Sequence, residues 1–214
     1  MDIILYGAGG HAKTVAAVVE SLPEFRIVGI LDDDQGKHHK EHFGYPVLGD
    51  WNQMSQQPWN DVEHAFAAVG DNQCRAAISR KLVSQGKTLL TFVDPQAVLL
   101  RGAALQRGTV VFPRAVIGAD ARVGEGAIIS IGAVLSHDSR VGDYSHLAPG
   151  VTLGGGARVG SYSFLGINAV VLPGVEIADH VVVGANALVN HDLPSGVTAV
   201  GSPARIIKRS KDGS

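Results

Sequence analysis

From Val93 to Val189 every sixth residue is valine, leucine or isoleucine, running Val93, Leu99, Leu105, Val111, Ile117, Val123 and onward without a miss to Val183 and Val189. A helix returns its face every 3.6 residues and a strand every two, so a strict period of six describes neither alone. It describes a short strand followed by a corner. Four places after each aliphatic the residue is usually small, as at Ala115, Ala121, Ala127, Ala133, Ser139, Ser145, Ala157 and Ser163. One large and one small inward residue per hexad is the pattern of a triangular parallel β-helix, in which three hexads make a coil of 18 residues. Coils stack at the parallel-strand spacing of about 4.8 Å.

A coil of 18 residues is also a ruler, because outward residues 18 apart share a column. Reading the third residue of each hexad gives a polar column of Arg107, Glu125, Asp143, Ser161 and Asp179, which we expect to be solvated. A second column, Ile131, Pro149, Ile167 and Ala185, leaves an apolar strip facing outward, which calls for a partner subunit or an apolar ligand arm. The third, Arg101, Ala119, His137, Gly155 and Pro173, sets one imidazole directly under a glycine whose missing Cβ admits a ligand to the backbone. A base beside a backbone donor is what acyl transfer needs: one takes the proton of the attacking group and the other holds the oxyanion. Asp138 follows His137 and is placed to hold the second ring nitrogen if the pair sits at a corner. His146 belongs to another apolar column, Ile128, His146, Phe164 and Val182, and in a three-fold assembly would approach His137 of a neighbour. His180 and His191 read as surface or capping residues.

Before the repeat the grammar is different. Residues 1–91 alternate apolar runs with helical stretches, at Ile3–Tyr6, Ala12–Glu20, Ile27–Leu31, Ala65–Val69 and Gln73–Gln85, the βαβ pattern of a parallel sheet. The first strand runs into Gly7-Ala8-Gly9-Gly10-His11-Ala12, a turn that offers backbone N–H groups and a helix N-terminus to a phosphate. A second strand ends at Asp32-Asp33-Asp34, where an acidic side chain usually meets a ribose. The chain thus reads as α/β followed by β: a small Rossmann-like domain over 1–91, a parallel β-helix over 92–193, and a capping segment and tail over 194–214.

Charge and cysteine content narrow the partners. A net charge of -2 gives no basic surface for nucleic acid or anionic lipid. Cys74 is the single cysteine, so no disulfide or thiol cluster forms, and no metal is expected. Met1 and Asp2 carry no basic leader and the run Ile3–Tyr6 is far below the ~18 residues of a membrane span, so the chain is expected in the cytoplasm.

The motifs Tyr6-Gly7-Ala8-Gly9-Gly10-His11, Leu31-Asp32-Asp33, Val69-Gly70-Asp71-Asn72, Ser136-His137-Asp138, Val141-Gly142-Asp143-Tyr144-Ser145-His146, Phe164-Leu165-Gly166-Ile167-Asn168 and Val200-Gly201-Ser202-Pro203-Ala204-Arg205 together resemble a bacterial sugar acetyltransferase family. It includes sialic acid O-acetyltransferases and N-acetyltransferases of nucleotide-linked 4-amino sugars, notably of the bacillosamine pathway, and the likeness covers nearly the whole chain. The resemblance implies a left-handed β-helix, a homotrimer, and transfer of acetyl from acetyl-CoA to the 4-amino group of a UDP-, dTDP- or GDP-linked sugar, with sialic acid O-acetylation as the alternative. It implies His137 as base, with Asp138, where the bacillosamine enzyme has Glu, raising its basicity. Gly9, Gly10, His11, Asp32, Asp33 and Gly70 would hold the nucleotide sugar, and His146, Gly155, Ile167 and Ala185 would touch acetyl-CoA. The bacillosamine enzyme has Asn one strand before its histidine; here Ser130 stands in that place. A γ-class carbonic anhydrase shares the β-helix but needs three zinc-binding histidines, a pattern that His137 and His146 do not resemble. A sugar-sensing β-helix without catalysis leaves the pairing of His137 with Gly155 unexplained.

Overall fold

Ile3, Ile4, Leu5 and Tyr6 are all buried, as expected of a central strand covered on both faces. The computed structural model describes residues 1–54, 56 and 59–209, which divide into two compact units, Met1–Asp94 and Pro95–Ser214. In the first, strands β1 (Asp2–Tyr6), β2 (Arg26–Leu31), β3 (Glu41–His42), β4 (Tyr45–Gly49), β5 (His64–Ala67) and β6 (Thr88–Leu89) form one sheet in the order β3-β4-β2-β1-β5-β6. All neighbours are parallel except the short β3–β4 hairpin. Helix α1 (Gly10–Glu20) buries Ala12, Val15, Ala16, Val18 and Val19. A one-turn helix, α2 (Trp51–Met54), follows β4, and α3 (Asn72–Ser84) follows β5. Asp71 caps α3 by accepting the N–H of Cys74 at 2.8 Å. The sequence pattern foretold β1, α1, β2, β5 and α3. It missed β4, because Pro46 within a short run argues against a strand; β4 tolerates it near the sheet edge, where its neighbour is the two-residue β3.

The second unit is the left-handed parallel β-helix. Two-residue strands pair in register with those 18 residues on, as Ile128–Ile129 with His146–Leu147, Val134–Leu135 with Thr152–Leu153, and Arg140–Val141 with Arg158–Val159. Three sheets result. The first face carries outward Val110, Ile128, His146, Phe164 and Val182; the second Val98, Val116, Val134, Thr152, Val170 and Leu188; the third Ala104, Arg122, Arg140, Arg158 and Glu176. The second residue of nearly every strand points inward, and Ile117, Ile129, Leu135, Leu147, Leu153, Leu165 and Val183 are fully buried. Beyond Val189 the chain adds Val197–Val200 parallel to Val182–Val183 and folds Arg205–Arg209 back antiparallel onto it, so the C-terminal segment covers the end of the first sheet.

Each corner depends on one backbone conformation. The residue three places after each inward aliphatic, every sixth residue from Gly102 to Asn186, has φ between +54° and +77°. Glycine, Asn and Asp accept this left-handed region at little cost, whereas Tyr144, Tyr162 and His180 do so against their steric preference. Those three are stacked on one another, with centroids 5.7 and 5.0 Å apart. The buried Tyr144 hydroxyl also donates to Glu125 at 2.7 Å. His180 is therefore the exposed end of an aromatic pile.

Small inward residues also hold coils together. Ser145 Oγ donates to the Gly160 carbonyl at 2.6 Å and accepts the N–H of Ser163 at 3.0 Å; Ser163 repeats the arrangement one coil on, with Ala178 and Val181. The polar column that we expected merely to be solvated is a second ladder. Glu125, Asp143 and Ser161 donate their backbone N–H to Asp143 Oδ1, Ser161 Oγ and Asp179 Oδ1 of the next coil, and Arg107 pairs with Glu125. Backbone groups left over at the corner are thereby satisfied.

Two glycines with the same backbone separate strain from packing. A Cβ on Gly126 would lie 2.3 Å from the Tyr144 ring, whereas one on Gly132 would meet nothing within 4 Å. Both alanine variants lose about 1 kcal/mol to the left-handed conformation. Gly126→Ala should lose a further 1–3 kcal/mol or so, because the stacked ring has no room to move. Denaturant unfolding of the two variants side by side checks this: equal midpoints would show that the aromatic corner packs loosely.

Candidate active site

At the carboxyl ends of β1, β2 and β5 the first unit gathers the residues expected to meet a nucleotide. Gly7 (φ +115°) turns the chain out of β1 so close to the β5–α3 loop that a Cβ would sit 2.8 Å from the Ala68 carbonyl oxygen. Gly9 is the N-cap of α1 and supplies no side chain to its free N–H groups. Around Gly9 and Gly10 the space where a Cβ would stand is open, so an anion can approach the helix head. Gly70 lies against His11, a Cβ there falling 3.8 Å from the His11 Cβ. The loop that carries Gly70 is pinned by Arg75, a buried guanidinium donating to the carbonyls of Val69 and Gly70 and to Asn72 Oδ1 at 3.1, 3.0 and 2.8 Å.

Asp32 and Asp33 have different surroundings. Asp32 accepts the N–H groups of Ala8 and Asp34 at 2.7 and 2.9 Å and the Lys37 ammonium at 3.1 Å, and its side chain is 12% exposed. Burial by itself would raise its pKa, but the two N–H donors and Lys37 outweigh it and hold the carboxyl below the usual range. Asp32 is thus occupied in fixing the glycine loop. Asp33 is exposed, with one oxygen taking the Tyr6 hydroxyl. Burial, then that bond to Asp33, keeps the Tyr6 phenol un-ionised. Tyr6 stacks on Trp51 at 4.0 Å, and the Lys81 ammonium lies 4.0 Å over the Trp51 ring. None of Lys37, Trp51, Arg75 and Lys81 is marked by the glycine motif, since each supports it from a distance along the chain.

In the β-helix, His137 and Asp138 form the corner between the second and third faces. Adjacent residues of a strand point apart, but Asp138 has φ +59°, which swings its carboxylate back to 2.8 Å from His137 Nδ1. The ring lies over Gly155, where a Cβ would be 2.6 Å from His137 Nε2. Any side chain at 155 would displace the imidazole. The N–H of Gly155 donates to no described residue: the next coil offers Pro173 at the place where the polar column supplies an oxygen. Ile167 and Ala185, in the apolar column, leave their N–H groups in the same condition. Two of the three corners therefore present unused backbone donors, and one of these carries a histidine with its Nδ1 held by a carboxylate. Such a ring is fixed in orientation with Nε2 available to accept a proton.

The structure keeps the remaining expected residues apart from this corner. His146 is on the first face, half-buried, its Nε2 3.2 Å from Ser130 Oγ and its ring edge-on to Phe164 at 5.2 Å. Ser130 thus has a partner that the sequence did not suggest. Ile167 and Ala185 occupy the corner between the first and second faces; Ile167 is 52% exposed and Ile131 in the same column 49%. Along the His146 column Phe164 and Val182 are open, but Ile128 is fully buried, so the outward strip is shorter than its sequence column. Among the described residues no three His, Cys, Asp or Glu side chains are grouped to hold a metal, and no helix is long and apolar enough to cross a membrane.

Comparison with known proteins matches residues 2–82 to the PglD N-terminal domain and residues 120–155 and 156–191 to the bacterial transferase hexapeptide (six repeats). The UDP-N-acetylbacillosamine N-acetyltransferase of Bacillus subtilis is 34% identical over 112 residues, a stretch covering 51% of this chain and half the length of that relative. The structure of PerB from Caulobacter crescentus, in complex with CoA and GDP-perosamine, is 36% identical, covers 97% of this chain and 98% of that one, and superposes with a TM-score of 0.92. The acetyltransferase domain of PglB from Neisseria gonorrhoeae is 29% identical, with 96% and 99% coverage and a TM-score of 0.89. Sequence, fold and corner geometry agree with these likenesses, and the chain belongs to the bacterial hexapeptide-repeat sugar acetyltransferases that carry a PglD-type N-terminal domain.

Proposed function

We propose that this chain transfers acetyl from acetyl-CoA to the 4-amino group of a UDP-, dTDP- or GDP-linked amino-deoxy sugar, for surface glycan synthesis in the cytoplasm. The observation that carries the reading is the His137 corner, an imidazole seated on Gly155 and held through Nδ1 by Asp138. PerB, solved with CoA and GDP-perosamine, supports the same substrate classes. As the amine nitrogen adds to the thioester carbonyl, His137 Nε2 takes its proton. Unused backbone N–H groups of the corner, that of Gly155 among them, hold the oxyanion. Collapse of the tetrahedral intermediate breaks the C–S bond, and the imidazolium returns the proton to the departing thiolate. No covalent acyl-enzyme is involved, since the Cys74 thiol has its pKa raised, first by burial.

In this reading Gly9, Gly10, His11 and Gly70 receive the diphosphate and Asp33 the nucleoside, while Asp32 keeps the loop in shape. Gly155, His146, Ile167 and Ala185 contact acetyl-CoA. His146, Ile167 and Ala185 lie away from the His137 corner of their own chain, and the exposed Ile131, Phe164, Ile167 and Val182 need cover. Both facts favour a homotrimer in which neighbouring β-helices share each site.

An acetyl-CoA turnover assay across UDP-, dTDP- and GDP-linked 4-amino sugars, with sialic acid alongside, tests the reaction; turnover of sialic acid alone would replace N- by O-acetylation. His137→Ala should lower kcat by roughly 10² to 10⁴ with little change in KM for acetyl-CoA, and raised pH should restore part of the loss by freeing the amine. Asp138→Ala should cost less, and the double variant less than the product of the two. A His137→Ala enzyme with near wild-type kcat at neutral pH rejects the base. Light scattering at micromolar concentration should give a trimer, and monomer alone would contradict the shared site.

The lowered pKa of Asp32 adds a pH dependence. Its stabilisation is complete above the ordinary carboxylate value of 3.8 and is lost as pH falls through the lower folded value. Wild type should therefore unfold at a higher temperature than Asp32→Asn at neutral pH, and the gap should close on acidification below about pH 4. A gap independent of pH would mean that Asp32 acts by shape and not by charge.

A further inference from the structure

The closing strand of the β-helix unit, Arg205–Arg209, carries exposed cations at Arg205, Lys208 and Arg209. Its register places two of them. Up the first face His146 pairs with Phe164, Phe164 with Val182, Val182 with Thr198 and Thr198 with Lys208, so Lys208 tops the His146 column, four strand spacings or about 19 Å above its foot. These side chains point outward. Leu147, Leu165, Val183 and Ala199 beside them are fully buried, whereas Phe164, Val182 and Lys208 are exposed and His146 and Thr198 half-buried. Arg205 pairs with the outward Val200, which packs against Gly184 next to the Ala185 corner. Arg209 faces the buried Val197 and so belongs to the other side of the strand. Arg205 donates to the neighbouring Ala204 carbonyl at 2.8 Å, and among the described residues no carboxylate pairs with Arg205 or Lys208. The outward column Val110, Ile128, His146, Phe164, Val182, Thr198 and Lys208 contains no acidic residue. From Asn190 to Arg209 the one acid is Asp192, which accepts the N–H of Glu176 at the end of the third sheet.

The first face thus offers, from foot to top, an imidazole, an apolar stretch and two cations. Acetyl-CoA has its parts in the same order: a thioester, an arm of methylenes and two amides, then phosphates. From sulfur to the nearer phosphorus the arm has about 13 bonds, which at the ~3.5 Å per three bonds of an extended chain spans roughly 15 Å. The flexible lysine stem covers the remainder. We propose that Arg205 and Lys208 hold the phosphates of acetyl-CoA, its arm lying along Phe164 and Val182 and its thioester at the level of His146. The arm's amide carbonyls take the unused N–H groups of Ile167 and Ala185 at the adjoining corner. A guanidinium matches phosphate oxygens in paired hydrogen bonds, and the ammonium adds a mobile point charge. The inference rests on acetyl-CoA as the acyl donor and concerns that donor alone; the nucleotide diphosphate stays with the glycine loop of the first unit.

The experiment compares wild type with the double variant Arg205→Gln, Lys208→Gln by calorimetric titration with CoA, 3′-dephospho-CoA, UDP and GDP, at low salt and at ~0.3 M salt. Affinity for CoA should fall about tenfold at low salt, the difference should fade at high salt, and affinity for UDP and GDP should stay as in wild type. A loss that persists with dephospho-CoA assigns the cations to the diphosphate, and one that vanishes assigns them to the 3′-phosphate. A second variant, Arg122→Gln with Arg140→Gln, removes the same charge from the third face and should leave CoA binding unchanged. Both residues of the first pair are exposed, so its thermal midpoint should match wild type. Undiminished CoA affinity in the Arg205, Lys208 variant at low salt overturns the proposal, as does an equal loss in the third-face variant. A wild-type protein that binds no CoA would overturn the acyl donor itself, whereas one that binds CoA through these cations but acetylates no sugar would overturn the acceptor and leave the phosphate site standing.

Discussion

Everything in the β-helix hangs on a left-handed residue at one place in each hexad. With φ near +60° there, the chain turns through a corner in three residues and the next inward aliphatic arrives on schedule. Ordinary side chains resist that conformation by roughly 1–2 kcal/mol. The corner columns divide the cost in different ways. Where Gly102, Gly126 and Gly150 occupy the place, the next coil carries Asp120, Tyr144 and Asn168, whose side chains fill the space that a Cβ would need. Glycine in one coil thus makes room for a functional or stacking side chain in the following one.

The same rule produces the candidate site. Asp138 reaches His137 only because it is the left-handed residue of its hexad, and the ring has a seat only because the column continues with glycine. What distinguishes this corner from the polar one is equally simple. Along Glu125, Asp143, Ser161 and Asp179 the side chains consume the spare backbone N–H groups, whereas Gly155 and Pro173 consume none. A corner that stabilises itself has no donors left for a ligand, and one that withholds side-chain oxygens keeps them.

Much of this was legible in the sequence because the period of 18 converts chain distance directly into stacking. The seating of His137 under Gly155 and the exposure of Ile131 and Ile167 follow from counting alone. Other features required three dimensions. Asp32 and Asp33 look equivalent as letters, yet Ala8 and Lys37 engage only Asp32, a difference set by how β1 and β2 pair. Arg75 reads as an ordinary helical arginine, and only the closeness of the Gly70 loop buries it. Tyr144, Tyr162 and His180 stand 18 apart, so counting sets them in one column, but their left-handed backbone runs against their own preference and shows only in the structure. The bond between Ser130 and His146 joins residues 16 apart, a separation off the 18-residue ruler.

Base catalysis by His137 requires the attacking amine to sit beside its imidazole. A crystal structure of the protein with CoA and an acetyl-accepting nucleotide-linked 4-amino sugar measures this directly. The geometry predicts the amine nitrogen within hydrogen-bond reach of His137 Nε2, about 2.6–3.2 Å or through one water, with Nδ1 still on Asp138. An amine bound away from His137, with the imidazole touching neither sugar nor thioester, would contradict it.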